Sequence, residues 1–182
     1  NRIDILWKTL VDTVDILSSN SINNRFSNTL SKFTIEILVQ IIIITLSKYK
    51  YIPTENNQIF NDKEIQDTLF KPLYSLLNRH HNISFVLQPL KKIIEKCGWK
   101  LNNIGWNSII NILNGILSNE KVDPQQCESV FKIVELIFNE YLTYLNIFNI
   151  EHLLNVLEKF SVSKDNNNIC YSSISYFWQC AD

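Results

Sequence analysis

The chain has 182 residues with a formal net charge of −1, 46% of them hydrophobic and 19% charged. That length fits one domain or a short piece of a repetitive chain, and it is large enough to bury a core without metal or disulfide staples. The near-zero charge excludes a nucleic-acid binder that works through a bulk basic field.

Ile (27) and Asn (23) are far over-used, while Ala occurs once and Gly and Arg three times each. Ile and Asn have AT-rich codons, so the bias reads as genome composition and not as a prion-like Asn tract. No Met is present, and the chain begins and stops in amphipathic patterns, as expected of a segment of a longer protein.

Apolar residues recur at helical spacing along almost the whole chain, and no segment alternates with period two, so the fold class is all-α. A first helix over 2–18 puts Ile3, Leu6, Leu10, Val14 and Leu17 on one stripe. After the polar turn Ser18-Ser19-Asn20-Ser21, a second over 24–50 completes an antiparallel pair. Inside it, Ile35–Leu46 is broken only by Glu36, Gln40 and Thr45. That run is about eight residues short of a bilayer span, and it predicts the central buried helix of a multi-helix layer, apolar on nearly all sides, that does not cross a membrane.

Residues 51–62, with Pro53 and many turn formers, predict a loop. A third helix over 63–79 turns Ile65, Leu69, Leu73, Leu76 and Leu77 inward, with Pro72 expected to kink it or split off its first turn. Asn82 is the expected N-cap of a fourth over 83–97, with Val86, Leu90, Ile93, Ile94 and Cys97 inward. Pro89 lies inside it, and Gly98 is the expected left-handed C-terminal cap.

A fifth helix covers 104–118 (Trp106, Ile109, Ile110, Leu113, Ile116, Leu117). The sixth starts most cleanly, with Asp123 capping and Pro124 at the first helical position. Its stripe of Cys127, Val130, Val134, Ile137, Phe138, Tyr141 and Leu145 reaches about residue 146. Asn149 is the expected cap of a seventh helix bearing Ile150, Leu153, Val156, Leu157 and Phe160. After a loop over 163–167, an eighth covers 168–181 with Ile169, Ser173, Phe177 and Cys180 inward.

Eight helices in consecutive antiparallel pairs, one pair every 35–50 residues, predict a HEAT/armadillo-like α-solenoid. A closed bundle with one core is the alternative, which uniform pair length disfavours. The domain reading is a single α-solenoid segment over 1–182: a first pair over 1–50, a loop over 51–62, and the remaining pairs over 63–182.

No residues assemble into a catalytic, cofactor or metal set, so the chain reads as a non-enzyme without a cofactor. His80 and His81 are adjacent and diverge, His152 falls on a surface position, and three glycines cannot make a phosphate loop. Cys97, Cys127, Cys170 and Cys180 form no zinc spacing and read as small buried hydrophobes in a cytosolic protein. The glycosylation triplet Asn82-Ile83-Ser84 has no signal peptide beside it.

Residues 1–119 carry net +4 and residues 120–182 net −5, and the basic excess gathers at Lys91, Lys92, Lys96 and Lys100. Lys92, Lys96 and Lys100 make one i, i+4 strip if the helix continues that far. Such a strip is either a contact for anionic lipid or an acidic partner, or an ordinary solvated helix face. Glu128, Lys132 and Glu135 support an exposed face of the sixth helix. Trp99 and Trp106, on either side of Gly105, read as helix–helix core anchors, the other reading being an exposed partner-binding aromatic.

Three stretches carry a resemblance: Leu69-Phe70-Lys71-Pro72-Leu73 with Leu76; Leu87 to Leu113, where a helix ends at Cys97-Gly98 and Gly105-Trp106 opens the next; and Val130 to Asp182. Their succession resembles the helical region downstream of the catalytic domain in the large Sec-seven-type ARF exchange factors. Trp178, with Ser172 to Ser175 before it, is most similar to the exchange-domain-lacking monensin-sensitivity branch, the Golgi and endosome trafficking scaffolds. The ending Gln179-Cys180-Ala181-Asp182 mixes features of both branches.

The resemblance covers about 65–182; over 1–50 only helix order supports it. It implies a peripheral protein on the cytosolic face of the trans-Golgi network and endosomes, acting in vesicle trafficking and endosome-to-Golgi recycling. A Dopey-type protein, an aminophospholipid flippase complex and ARF-like small GTPases would be its partners, with no nucleic acid and no small-molecule substrate. The alternative parent is a large ARF guanine-nucleotide exchange factor with this segment as its regulatory helical domain.

Overall fold

The computed structural model describes residues 2–19, 25–48, 62–79, 83–119, 122–162 and 167–181. Among them the structure is all-helical, with the eight helices that the apolar periodicity predicts. They fall into two compact units, Asn1–Leu101 and Asn102–Asp182.

The first unit holds α1 (Arg2–Ser19), α2 (Arg25–Lys48), α3 (Asp62–Arg79), α4 (Ser84–Cys97) and a 3-10 turn, Gly98–Lys100. α1 packs on α2, α3 on α4, and across the pairs α1 on α3 and α2 on α4. Each helix therefore touches its pair-mate and the helix two places along, which is how α-solenoid repeats share a core that no single pair could bury. Leu38, Ile42, Leu73, Leu76, Leu90, Ile93 and Ile94 are wholly buried there. Each such side chain stabilises by roughly 1.5–3 kcal/mol, against 0–1 kcal/mol for an exposed ion pair, so packing holds the unit.

Several expectations shift on contact with the structure. In α1, Leu6 is exposed and Leu10 half-buried while Val11 is buried, so the helix turns a neighbouring stripe inward. The side chains of Ile3, Val14 and Leu17 lie outside the description. α2 is not covered on all sides, because Phe33, Ile37 and Ile44 stand exposed opposite its buried residues. Taken over Thr29–Lys48 it is also long and apolar enough to cross a membrane by length and composition, where Ile35–Leu46 alone falls short.

α3 and α4 run as single helices through Pro72 and Pro89, and both rings are buried. Each proline removes one backbone donor, and burial of its ring offsets that loss. Ile83, without a side-chain cap, precedes α4, while Asn82, His80, His81 and the expected 51–61 loop lie outside the described residues. Gly98 is not a left-handed cap: with φ −53° and ψ −42° it carries the chain onward into the 3-10 turn.

The second unit holds α5 (Asn103–Leu117), α6 (Pro124–Leu136), a π turn (Ile137–Tyr141), a 3-10 turn (Leu142–Tyr144), α7 (Ile147–Ser161) and α8 (Asn167–Ala181). α5 packs on α7, and α7 on α6 and α8. Asn102 caps α5 through the Ile104 and Gly105 amides. Asp123 and Gln126 form a full capping box for α6, with Pro124 in the first turn as the sequence predicts.

Trp106 is fully buried on α5, and its ring lies 5.6 Å from Tyr141 in the π turn. Phe138 stacks on Tyr176 of α8 at 4.9 Å, and Phe131 meets Phe160 of α7 edge-on at 5.2 Å. From Val130 to Leu145 the α6 stripe is therefore core as predicted, while Cys127 at its start is only half-buried, and the last turns loosen into π and 3-10 geometry.

The start of α7 corrects the sequence reading. Asn146 is the cap, accepting the Asn149 amide at 2.9 Å, while Asn149 is buried and donates to the Asn103 carbonyl at 3.0 Å. Two asparagines three apart offer the same capping chemistry, and α5 claims the second. In α8, Ile169, Ser173 and Tyr176 are buried, while Phe177 and Cys180 are only half-buried. Of the four free thiols only Cys97 is buried; the other three are partly exposed, so they are not core hydrophobes.

Candidate functional site

The four lysines singled out by charge do not act as one strip. α4 ends at Cys97, and Lys100 sits in the following 3-10 turn, so the i, i+4 row stops at Lys96. Lys92 reaches across to Glu36 of α2, a carboxylate that also accepts from Gln40 at 3.0 Å. These bonds, Lys92 first, hold the Glu36 carboxyl below its ordinary value.

Lys100 donates to the Ser47 carbonyl in the last turn of α2 and stands 4.8 Å from the centre of the exposed Trp99 ring. An ammonium on terminal carbonyls satisfies acceptors that no helical amide reaches and complements the helix dipole. Gln66 ties the same turn to α3 by donating to the Lys100 carbonyl at 3.1 Å. Lys91 pairs along its own helix with Glu95 at 3.7 Å, and Lys96 is exposed.

Between α2 and α4 lies an open groove of about 740 Å³. Lys32, Glu36 and Ile35 line it from α2, and Phe85, Pro89, Lys91 and Lys92 among others from α4. Two of the four predicted lysines thus come together at a surface feature, joined by Lys32, which charge clustering in the sequence missed. Missed as well were Phe33, Ile37 and Ile44, the exposed apolar row on α2. Their signal was present: a helix apolar on every side has more apolar surface than one packed neighbour covers.

The tryptophans divide. Trp106 is 0% exposed and a core anchor, with its indole nitrogen buried and unpaired, whereas Trp99 is 57% exposed and corrects the shared core reading. Trp178 of the resemblance motif is also exposed, beside Tyr171 and Ile174 on the outer side of α8. Lys159 of α7 repeats the device of Lys100, donating to Asn114 Oδ1 at 2.6 Å and Ser118 Oγ at 2.7 Å at the end of α5.

His152 is exposed and lies 3.2 Å from Asn107 Oδ1. Lys132 pairs with Glu128 at 2.6 Å on the α6 surface. Among the described residues no three His, Cys, Asp or Glu side chains gather as metal ligands. What the arrangement offers is surface: a mixed-charge groove, an exposed apolar row on α2, and lysines that bind one helix to another.

No family model matches the sequence, and no solved structure matches it. The chain is similar to Protein MON2 of Saccharomyces cerevisiae (strain ATCC 204508 / S288c), with 24% identity over 169 residues. The two chains are related. The aligned region covers 80% of this chain and 10% of the yeast protein, so the chain spans about a tenth of that relative's length.

Proposed function

We propose that this chain is a non-catalytic helical-repeat segment of a large trafficking scaffold, acting by protein–protein binding. The observation that carries the reading is the similarity to Protein MON2 across 80% of the chain, in a structure where α1 packs on α3, α2 on α4 and α5 on α7. The likeness drawn from residues 65–182 to the monensin-sensitivity branch points the same way. On this reading the parent is a peripheral protein of the cytosolic face of the Golgi and endosomes that serves endosome-to-Golgi recycling. Its partners are a Dopey-type protein and an aminophospholipid flippase complex, with ARF-like GTPases as further contacts.

The face bearing Lys91, Lys92, Lys96 and Lys100 is the proposed contact, with Lys92 and Lys100 also holding α4 to α2. The test is an affinity pull-down from cytosol and Golgi-membrane extract with the 182-residue chain as bait and mass spectrometry as readout. Trp106→Ala serves as the folding-defective control. Recovery of a Dopey-type protein or flippase subunits, lost with the control, is the expected result. Recovery of ARF-family GTPases alone favours a regulatory domain of an exchange factor, and an empty pull-down from folded bait overturns the binding role.

A further inference from the structure

α8 carries apolar side chains on two opposite sides, and its neighbours cover one. Ile169, Ser173 and Tyr176 are buried. Tyr176 stacks on Phe138 at 4.9 Å and donates its hydroxyl to Asn139 Oδ1 at 3.4 Å, both in the π turn that follows α6. Tyr171, Ile174 and Trp178 are exposed, Tyr171 by 70% and Trp178 by 69%. Each stands two residues from Ile169 or Tyr176, which at about 100° per residue is roughly half a turn, so the three form one stripe on the far side of the helix.

The stripe belongs to a helix without charge: Asn167–Ala181 holds no Asp, Glu, Lys or Arg. α5 of the same unit is likewise uncharged, and it leaves no large apolar side chain exposed. α6 and α7, by contrast, show Glu128, Lys132, Glu151 and Glu158 on their open sides. α8 therefore has the composition of a helix covered on both sides, with one side bare. An acidic or basic partner would find no charge on this stripe to pair with, whereas an apolar helix fits it. The packing pattern gives the source of such a helix. α1 lies on α3, α2 on α4 and α5 on α7, each against the helix two places along. α8 meets the end of α6 through Tyr176, and its opposite side is where the next member of that series stands. The yeast relative has the length for further repeats, since the aligned region is 10% of that protein.

We propose that Tyr171, Ile174 and Trp178 form the seat of an apolar helix two places after α8 in the parent protein. This side of α8 is then a junction between repeats and not a site for a separate partner. The inference rests on reading this chain as a segment of a larger helical-repeat scaffold, and it names what covers the stripe.

The test is photo-cross-linking in the full-length parent protein, with benzoylphenylalanine in place of Trp178 and mass spectrometry as readout. The expected product is a cross-link within one polypeptide, to a segment within about 50 residues after position 182, the length of one further helical pair. Cross-links to a second polypeptide, to lipid or to a remote part of the same chain overturn the proposal, as does the absence of any. Benzoylphenylalanine in place of Tyr171 carries the test if the Trp178 variant melts early by circular dichroism. Tyr171→Ser with Trp178→Ser should leave the melting temperature of the 182-residue chain unchanged and lower that of the parent protein. Equal responses in the two also overturn it. A parent protein that captures the protein partners above but gives no such cross-link leaves the scaffold reading standing without this junction. One that gives the cross-link and recovers no partner does the reverse.

Discussion

Lys92 of α4 bonds to Glu36 of α2, so a lysine from the most basic stretch of the sequence serves as a tie between stacked helices. Both side chains are well exposed, and the pair contributes little next to the core beneath it. A double-mutant cycle with Lys92→Ala and Glu36→Ala is expected to give a coupling of about 0.2–1 kcal/mol in chemical denaturation. A coupling near zero would show that the two charges do not depend on each other in solution.

The same pair sets a pH response. The bond from Lys92, with that from Gln40, holds the folded Glu36 carboxyl below its ordinary 4.5. A carboxyl depressed in the folded state contributes stability above that ordinary value and loses it as pH falls through the lower folded value. Thermal melts taken from neutral pH down to about pH 3 should fall less steeply for Glu36→Gln than for the parent chain. Parallel curves would contradict the assignment.

Trp106→Ala is expected to cost roughly 3–5 kcal/mol, since the ring is fully buried against Tyr141. Trp99→Ala removes an exposed ring and one lysine contact, and should cost no more than about 1 kcal/mol. Equal shifts in melting temperature would mean that the two rings share one environment.

What the sequence makes legible follows from where the determining forces are local. The start of α6 can be read because Asp123, Pro124 and Gln126 fix it within four residues. The stripes of α3, α5 and α6 are legible because period 3.6 survives any packing partner. The split between Trp99 and Trp106 is not, because exposure is decided by helices distant in sequence. Nor is the choice between Asn146 and Asn149 as cap, which the Asn103 carbonyl settles from 46 positions away. The π turn at Ile137–Tyr141 has no residue signature of its own, and the break of the lysine row after Lys96 depends on how the chain leaves Gly98. For the candidate surface, charge clustering picks out the lysines, but only the fold shows which of them bond across to α2.

The two caps at α7 can be separated. Asn146→Ala should cost about 1 kcal/mol as a lost N-cap. Asn149→Ala should cost about 1–3 kcal/mol, because it leaves the Asn103 carbonyl without its side-chain donor in a part-buried site. Denaturation of the two variants measures both, and a neutral Asn149→Ala would mean that its bond to the Asn103 carbonyl adds nothing to stability.

The account centres on a division of labour among lysines: Lys92 and Lys100 hold α4 to α2, and Lys32 and Lys96 face outward. Thermal stability measured side by side on two double variants tests it most directly. Lys92→Gln with Lys100→Gln should lower the melting temperature. Lys32→Gln with Lys96→Gln should keep stability within about 0.5 kcal/mol. Two variants that lose stability equally would contradict that division.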